Sequence, residues 1–136
     1  EFRRVLFRSI NNNQKIYYFG QIRDDDKLRN LYSAMDLLVF PSKVEALGLI
    51  AQEAMTCGTP IITYRETGTA TIVKDGINGM TISSFQNHLR DSIFELTCDD
   101  EKLQIWSKNA AKYAKDNWSY SSVVQNYLKL YKSLTK

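Results

Sequence analysis

The chain has 136 residues and a mass of 15.7 kDa, one domain's worth of polypeptide with enough length to bury a core. Hydrophobic residues make up 43% and charged residues 24%, an ordinary globular composition that excludes a disordered chain. No apolar run approaches the roughly 20 residues a bilayer-spanning helix needs. The formal charge is +3, but Glu1–Ser9 contribute Arg3, Arg4 and Arg8 against Glu1, and without them 15 basic residues face 14 acidic ones. A nucleic-acid-binding domain would keep its basic excess in its body.

Cys57 and Cys98 are 41 residues apart, with no second Cys or His spaced for a metal site. A small secreted disulfide framework is not expected, and a reducing cytosol with two structural thiols is. Glu1–Ser9 lacks the apolar stretch and small-residue cleavage site of a signal peptide. Its end, Leu6-Phe7-Arg8-Ser9, reads like translated sequencing adaptor. Residues 1–9 are therefore expected to be a cloning or assembly scar, with the natural chain entering near Ile10, inside a larger protein; the alternative is a genuine basic arm.

From Ile16 strand and helix signals alternate, the pattern of an α/β fold with a parallel sheet. The aromatic run at 16–19 reads as a buried strand ended by Gly20. Asp24 or Asp25 caps a helix whose apolar face is Leu28, Leu31, Tyr32 and Met35. The run 37–40 is a hydrophobic strand closed by Pro41, as expected where both sheet faces are covered. A helix over about 48–57 is apolar nearly all round and ends at Gly58, and Pro60 opens the strand 61–64. Asp75-Gly76 and Asn78-Gly79 punctuate a turn before a short strand at about 80–82. From about residue 84 only helix remains. Its stripes are Leu89, Ile93 and Leu96; Leu103, Trp106, Ala110 and Tyr113; and Val123, Val124, Tyr127, Leu128, Tyr131 and Leu134. Ser119 or Ser121 caps the third, and Trp106, Trp118 and the late tyrosines are expected in the core, or else as contacts to a further domain of the larger protein.

Ligands of an open parallel sheet bind beyond the carboxyl ends of its strands. Three such ends are expected on one edge: 20–23, 41–48 and 65–68. The middle one runs into a helix N-terminus, where backbone N–H groups near Ala46 to Leu49 form an anion site and Gly48 allows close approach. Glu45 and Glu53 bracket that site with seven residues between them. Glu53 falls among Ala51, Ala54 and Met55, where an unpaired charge is costly, so it needs donors such as ligand hydroxyls. Alternatively, both acids simply favour the positive end of the helix dipole. His88 reads as a surface or capping residue around which no Ser-His-Asp set can be built, and Asp24-Asp25-Asp26 as a solvated helix start.

The stretch DLLVFPSKVEALGLIAQEAMTCGTPII resembles the C-terminal domain of retaining, nucleotide-sugar-dependent glycosyltransferases of family 4, which have the GT-B fold. The match runs through Pro41, Ser42, Glu45, Gly48, Leu49, Glu53, Ala54, Met55, Gly58 and Pro60. Phe19-Gly20-Gln21 and Lys74 to Met80 also fall where the family has counterparts. The resemblance implies a Rossmann-like parallel sheet with helices on both faces, the incomplete C-terminal half of a GT-B fold, followed by C-terminal helices.

By that resemblance Glu45 is the catalytic residue, holding donor-sugar hydroxyls and helping to stabilise positive charge at the anomeric carbon. Glu53 binds the ribose hydroxyls, and Ser42 and the amides of Ala46, Leu47, Gly48 and Leu49 hold sugar and diphosphate. Gln21 to Arg23 face the base. The implied donor is a nucleotide-diphosphate sugar, with no metal and no further cofactor. The implied acceptor is a glycan or lipid-linked molecule bound by a missing N-terminal domain. Residues 10–136 would then be a partial nucleotide-sugar domain, inactive alone and prone to aggregate along exposed strand edges. The parent would be cytoplasmic, with room for peripheral association at the inner face of the membrane. The family's Gly-Gly-x-Pro-Glu loop reads Thr67-Gly68-Thr69-Ala70-Thr71 here, and its diphosphate-binding Arg and Lys lie upstream, on segments this chain lacks. The rival readings are a stand-alone nucleotide-binding module, an interaction domain without transfer activity, and an epimerase whose acid–base set is not visible.

Overall fold

The computed structural model describes residues 17–84 and 88–135. The reading of Glu1–Ser9, and Ile16 of the first expected strand, lie outside them. Helix α1 spans Asp25–Ser33, and the Asp24 carboxylate caps it by accepting the Lys27 N–H at 2.8 Å. Tyr32 is the buried residue of its apolar face. Met35 lies beyond the helix end but still packs on the core.

Strands β1 (Leu38–Phe40), β2 (Ile61–Tyr64) and β3 (Gly79–Ile82) form a parallel sheet in that order. Leu38 pairs with Ile61, and Ile61 in turn with Gly79. The expected strand at 16–19 is not borne out in its described part. Tyr17, Tyr18 and Phe19 form no strand and are exposed. An aromatic run becomes a strand only where a neighbour takes its N–H and C=O groups, and no described strand pairs with it.

Helix α2 (Leu49–Thr56) connects β1 to β2. Successive residues of β2 point to opposite faces of the sheet, and a separate apolar cluster lies on each. Ile61 packs with Tyr32, Ala51, Ala54, Met55 and Ala110, whereas Ile62 packs with Ile82, Leu96, Leu103 and Trp106. Helix α3 (Leu89–Thr97) supplies Leu96, and helix α4 (Asp100–Trp118) contributes to both clusters. The Asp99 carboxylate caps α4 through the Lys102 N–H at 2.9 Å. The Trp106 indole donates to the Gly76 carbonyl at 2.9 Å, fixing α4 against the turn before β3.

Two expectations about burial change. Helix α2 is buried on one face only: Ala51, Ala54 and Met55 point inward, and Leu49 and Ile50 are exposed at its first turn. Helix α5 (Tyr120–Leu134), capped by Ser119, has no buried residue. Its tyrosines are therefore not core, with Tyr120 88% exposed, and Trp118 is only half-buried, whereas Trp106 is buried as expected. The apolar stripe made the helix amphipathic, but burial needs a second surface that the described residues do not provide.

Met55→Ala should cost about 2–5 kcal/mol of stability, because a fully buried side chain leaves a cavity. Leu49→Ala, on the exposed side of the same helix, should cost less than about 0.5 kcal/mol. Denaturant titration of the two variants checks this difference.

Candidate functional site

Strand β1 stops because Pro41 has no N–H for the ladder. The loop 41–48 then turns into α2, with the Ser42 hydroxyl donating to the Val44 carbonyl at 3.1 Å. The half-buried Glu45 folds its carboxylate over its own loop, where Oε1 accepts the Ala46 N–H at 3.1 Å and the Leu47 N–H at 3.5 Å. These amides therefore point at a carboxylate, which shows their capacity for an anion. Gly48 is the residue before α2, with φ +77° and ψ 69°. That left-handed conformation suits glycine, and Gly48 offers no side chain to cap the first-turn N–H groups of the helix.

The loop is braced from behind by a 3₁₀ turn over Gly68–Thr71, which follows β2. The Gly68 N–H donates to the Glu45 carbonyl at 2.8 Å. A Cβ at Gly68 would lie 1.8 Å from the Ala46 carbonyl oxygen, so only glycine allows the two backbones to approach this closely. A Cβ at Gly48 would lie 2.5 Å from the Thr69 hydroxyl oxygen. The stretch Thr67–Thr71, read from sequence as a departure from a familiar loop, is thus the support for the segment that carries Glu45.

Glu53 lies on the exposed side of α2, not among Ala51, Ala54 and Met55, because 100° of rotation per residue carries it away from them. It still receives a donor: the Tyr32 hydroxyl reaches its Oε2 at 3.1 Å. With Leu28, Arg29, Tyr32, Leu49 and Trp118 it lines a cavity of about 510 Å³ between α1 and α2. Gln21 and Arg23 line a different cavity, of about 680 Å³, with Phe19, Ile22, Lys27 and Leu31. The Arg23 guanidinium donates to the Gln21 side chain at 3.4 Å. The structure thus brings Ser42, Glu45 and Ala46 to Leu49 together at one strand end, sets Glu53 one helical turn on, and leaves Gln21 and Arg23 apart before α1. At the neighbouring strand ends Glu66 accepts the Ser84 N–H at 3.0 Å, which holds its carboxyl below the usual range. Among the described residues no cluster of three or more His, Cys, Asp or Glu is placed to hold a metal ion.

Sequence reasoning missed Tyr32 and Thr69 as parts of this region. Tyr32 was legible as a core residue of α1, and the one available signal was that a buried phenol needs a partner for its hydroxyl.

Comparison with known proteins decides the family. The model for glycosyl transferases group 1 matches residues 3–113. The chain belongs to that family. An uncharacterised glycosyltransferase of Methanocaldococcus jannaschii is 30% identical over 126 residues, covering 92% of this chain and 35% of the relative. Sucrose-phosphate synthase from Thermosynechococcus elongatus superposes with a TM-score of 0.75 at 29% identity, over 88% of this chain and 30% of that one. The Anabaena protein HepE, in a complex with UDP, gives 0.67 at 25% identity, over 76% and 29%. This group 1 glycosyltransferase chain therefore spans about a third of the length of the proteins it matches. Its parallel sheet with helices on both faces is the architecture of those GT-B structures. No described helix is long and apolar enough to cross a membrane.

The Tyr32 hydroxyl is pushed up to about 12 by burial, then by its hydrogen bond to Glu53 and the negative charges of Glu53 and Cys57. A raised value means that the fold favours the protonated phenol. Its contribution to stability is complete below pH 10, the ordinary value, and is lost as pH rises through 12. Thermal melts across pH 9–12 should therefore fall more steeply for the wild type than for Tyr32→Phe. Parallel curves would contradict the assignment.

Proposed function

We propose that this chain carries the nucleotide-sugar half of a retaining, family 4 glycosyltransferase of hexosyltransferase type. The observation that carries the reading is the strand-end loop whose Ala46 and Leu47 amides converge on a carboxylate and which leads into the uncapped N-terminus of α2. Such a place suits the diphosphate of a donor, since partial positive charge there favours an anion and stabilises it further as it leaves. Membership of the group 1 family and the UDP complex of the related HepE structure support a nucleotide-sugar donor.

In this reading the diphosphate sits against the amides of Ala46 to Leu49, and Ser42 helps to shape that loop. Glu45 leaves its own amides when phosphate takes them, and turns to the donor-sugar hydroxyls. There its charge stabilises the positive anomeric carbon as the bond to the diphosphate oxygen breaks and the acceptor hydroxyl adds to the same face, passing its proton to the departing diphosphate oxygen. Glu53 holds the ribose hydroxyls, with the Tyr32 hydroxyl orienting the carboxylate. Gln21 and Arg23 face the base if the segment before α1 closes toward α2. The helix dipole and amides supply the charge stabilisation, so the reading calls for no metal and no cofactor beyond the donor.

The acceptor is a glycan or lipid-linked molecule, as in polysaccharide biosynthesis. It would be held by the part of the protein that the matched relatives carry outside this third of their length. The whole protein would work in the cytoplasm, with peripheral contact at the membrane's inner face, and the chain alone would bind donor without transferring sugar.

Calorimetric titration with UDP, GDP and ADP should show binding of at least one of them, weakened tenfold or more in Glu53→Ala. A folded sample that binds none of the three would overturn the reading.

A further inference from the structure

Four threonines are buried among the described residues, and three have obvious partners. Thr59 donates to the Tyr32 carbonyl at 2.6 Å, Thr63 to the Phe40 carbonyl at 3.0 Å and Thr67 to the Tyr64 carbonyl at 2.9 Å. Thr69 is the exception. It is 0% exposed, and its hydroxyl oxygen has neither a donor nor an acceptor among the described residues. Its neighbour in the same turn, Thr71, satisfies its own hydroxyl on the Gly68 carbonyl at 2.7 Å, so the turn itself does not forbid pairing.

An orphaned buried hydroxyl is costly, and a valine would fill the same volume without one. The position of this one is informative. Thr69 Oγ1 lies against Gly48, 2.5 Å from where a Cβ would project, and so directly behind the uncapped start of α2. A hydroxyl donor and a set of first-turn N–H groups thus meet at one point, and both lack an acceptor.

We propose that the Thr69 hydroxyl donates a hydrogen bond to a phosphoryl oxygen of the nucleoside diphosphate seated at the N-terminus of α2. This rests on the reading of the site given above and adds a side-chain donor from a loop to which that reading assigns no contact with the ligand. Gly48 covers the hydroxyl, and reaching it takes a small shift of the 45–48 loop. One of the contacts that set this loop is the Glu45 carboxylate on the Ala46 and Leu47 amides. A phosphate that takes those amides releases the Glu45 carboxylate and with it that one constraint on residues 46–48, while the bond from the Gly68 N–H to the Glu45 carbonyl stays in place. Gly48 has no side chain to obstruct the oxygen's approach.

The test is UDP affinity, measured by calorimetry alongside the thermal midpoint, for wild type, Thr69→Val and Thr69→Ser. Loss of a hydrogen bond to a charged oxygen should weaken UDP about tenfold or more in Thr69→Val. The midpoint of that variant should be unchanged or higher, since an orphan polar group is gone, and Thr69→Ser should restore most of the affinity. Equal UDP affinity in wild type and Thr69→Val would overturn the proposal while leaving the nucleotide reading intact. Weaker binding that merely tracks a fallen midpoint, without rescue by serine, would overturn it as well. If the folded wild type binds no UDP, GDP or ADP, the nucleotide reading fails and this proposal fails with it.

Discussion

The bond from the Gly68 N–H to the Glu45 carbonyl, 2.8 Å long, joins the loops that follow β1 and β2. The geometry of the site depends on this clasp. Parallel strands place their carboxyl ends side by side, but they do not fix how the loops beyond them lie. Gly68 does so by letting its backbone settle against the Ala46 carbonyl, where any Cβ would collide. The loop that carries Glu45 is thereby held at the mouth of α2, and the helix N-terminus and the carboxylate serve the same small volume.

The scaffold beneath the clasp is economical. Ile61 and Ile62, adjacent on β2 and both fully buried, anchor one apolar cluster on each face of the sheet. Helix α4 reaches both clusters, through Ala110 on one side and Leu103 and Trp106 on the other, so a single long helix ties the layers together. The strand ends can then carry polar and glycine-rich loops at little cost to the core. Helix α5 stands outside this arrangement, with an apolar face and no buried residue.

Much of this was legible in the sequence, for physical reasons. The apolar runs at β1 and β2 are closed by Pro41 and opened by Pro60, and α2 ends at Gly58, so their limits are marked by residues that cannot continue a ladder or a helix. Asp24, Asp99 and Ser119 sit where the helices start, although only Asp24 and Ser119 stood out against the apolar stripes. The aromatic run at 17–19 misled because composition reports a wish for burial and not the presence of a pairing neighbour. The α5 tyrosines misled for the same reason. At the site, the spacing of Glu45 and Glu53 was plain, and helical rotation alone carries Glu53 away from Ala51, Ala54 and Met55, but its meeting with the Tyr32 hydroxyl depends on how α2 lies against α1. Thr69 registered only as a difference within a loop, since nothing in Thr67–Thr71 says that one hydroxyl is sealed behind Gly48 without a partner among the described residues.

The central claim is that the loop 41–48 and the first turn of α2 form an anion site for a nucleoside diphosphate. The most direct measurement is backbone amide mapping by NMR during a titration with UDP. The account predicts that the largest shifts fall on Ala46 to Ala51, with smaller ones around Gly68. Shifts confined to the cavity between Phe19 and Leu31, or to α4 and α5, with the loop amides unmoved, would contradict it.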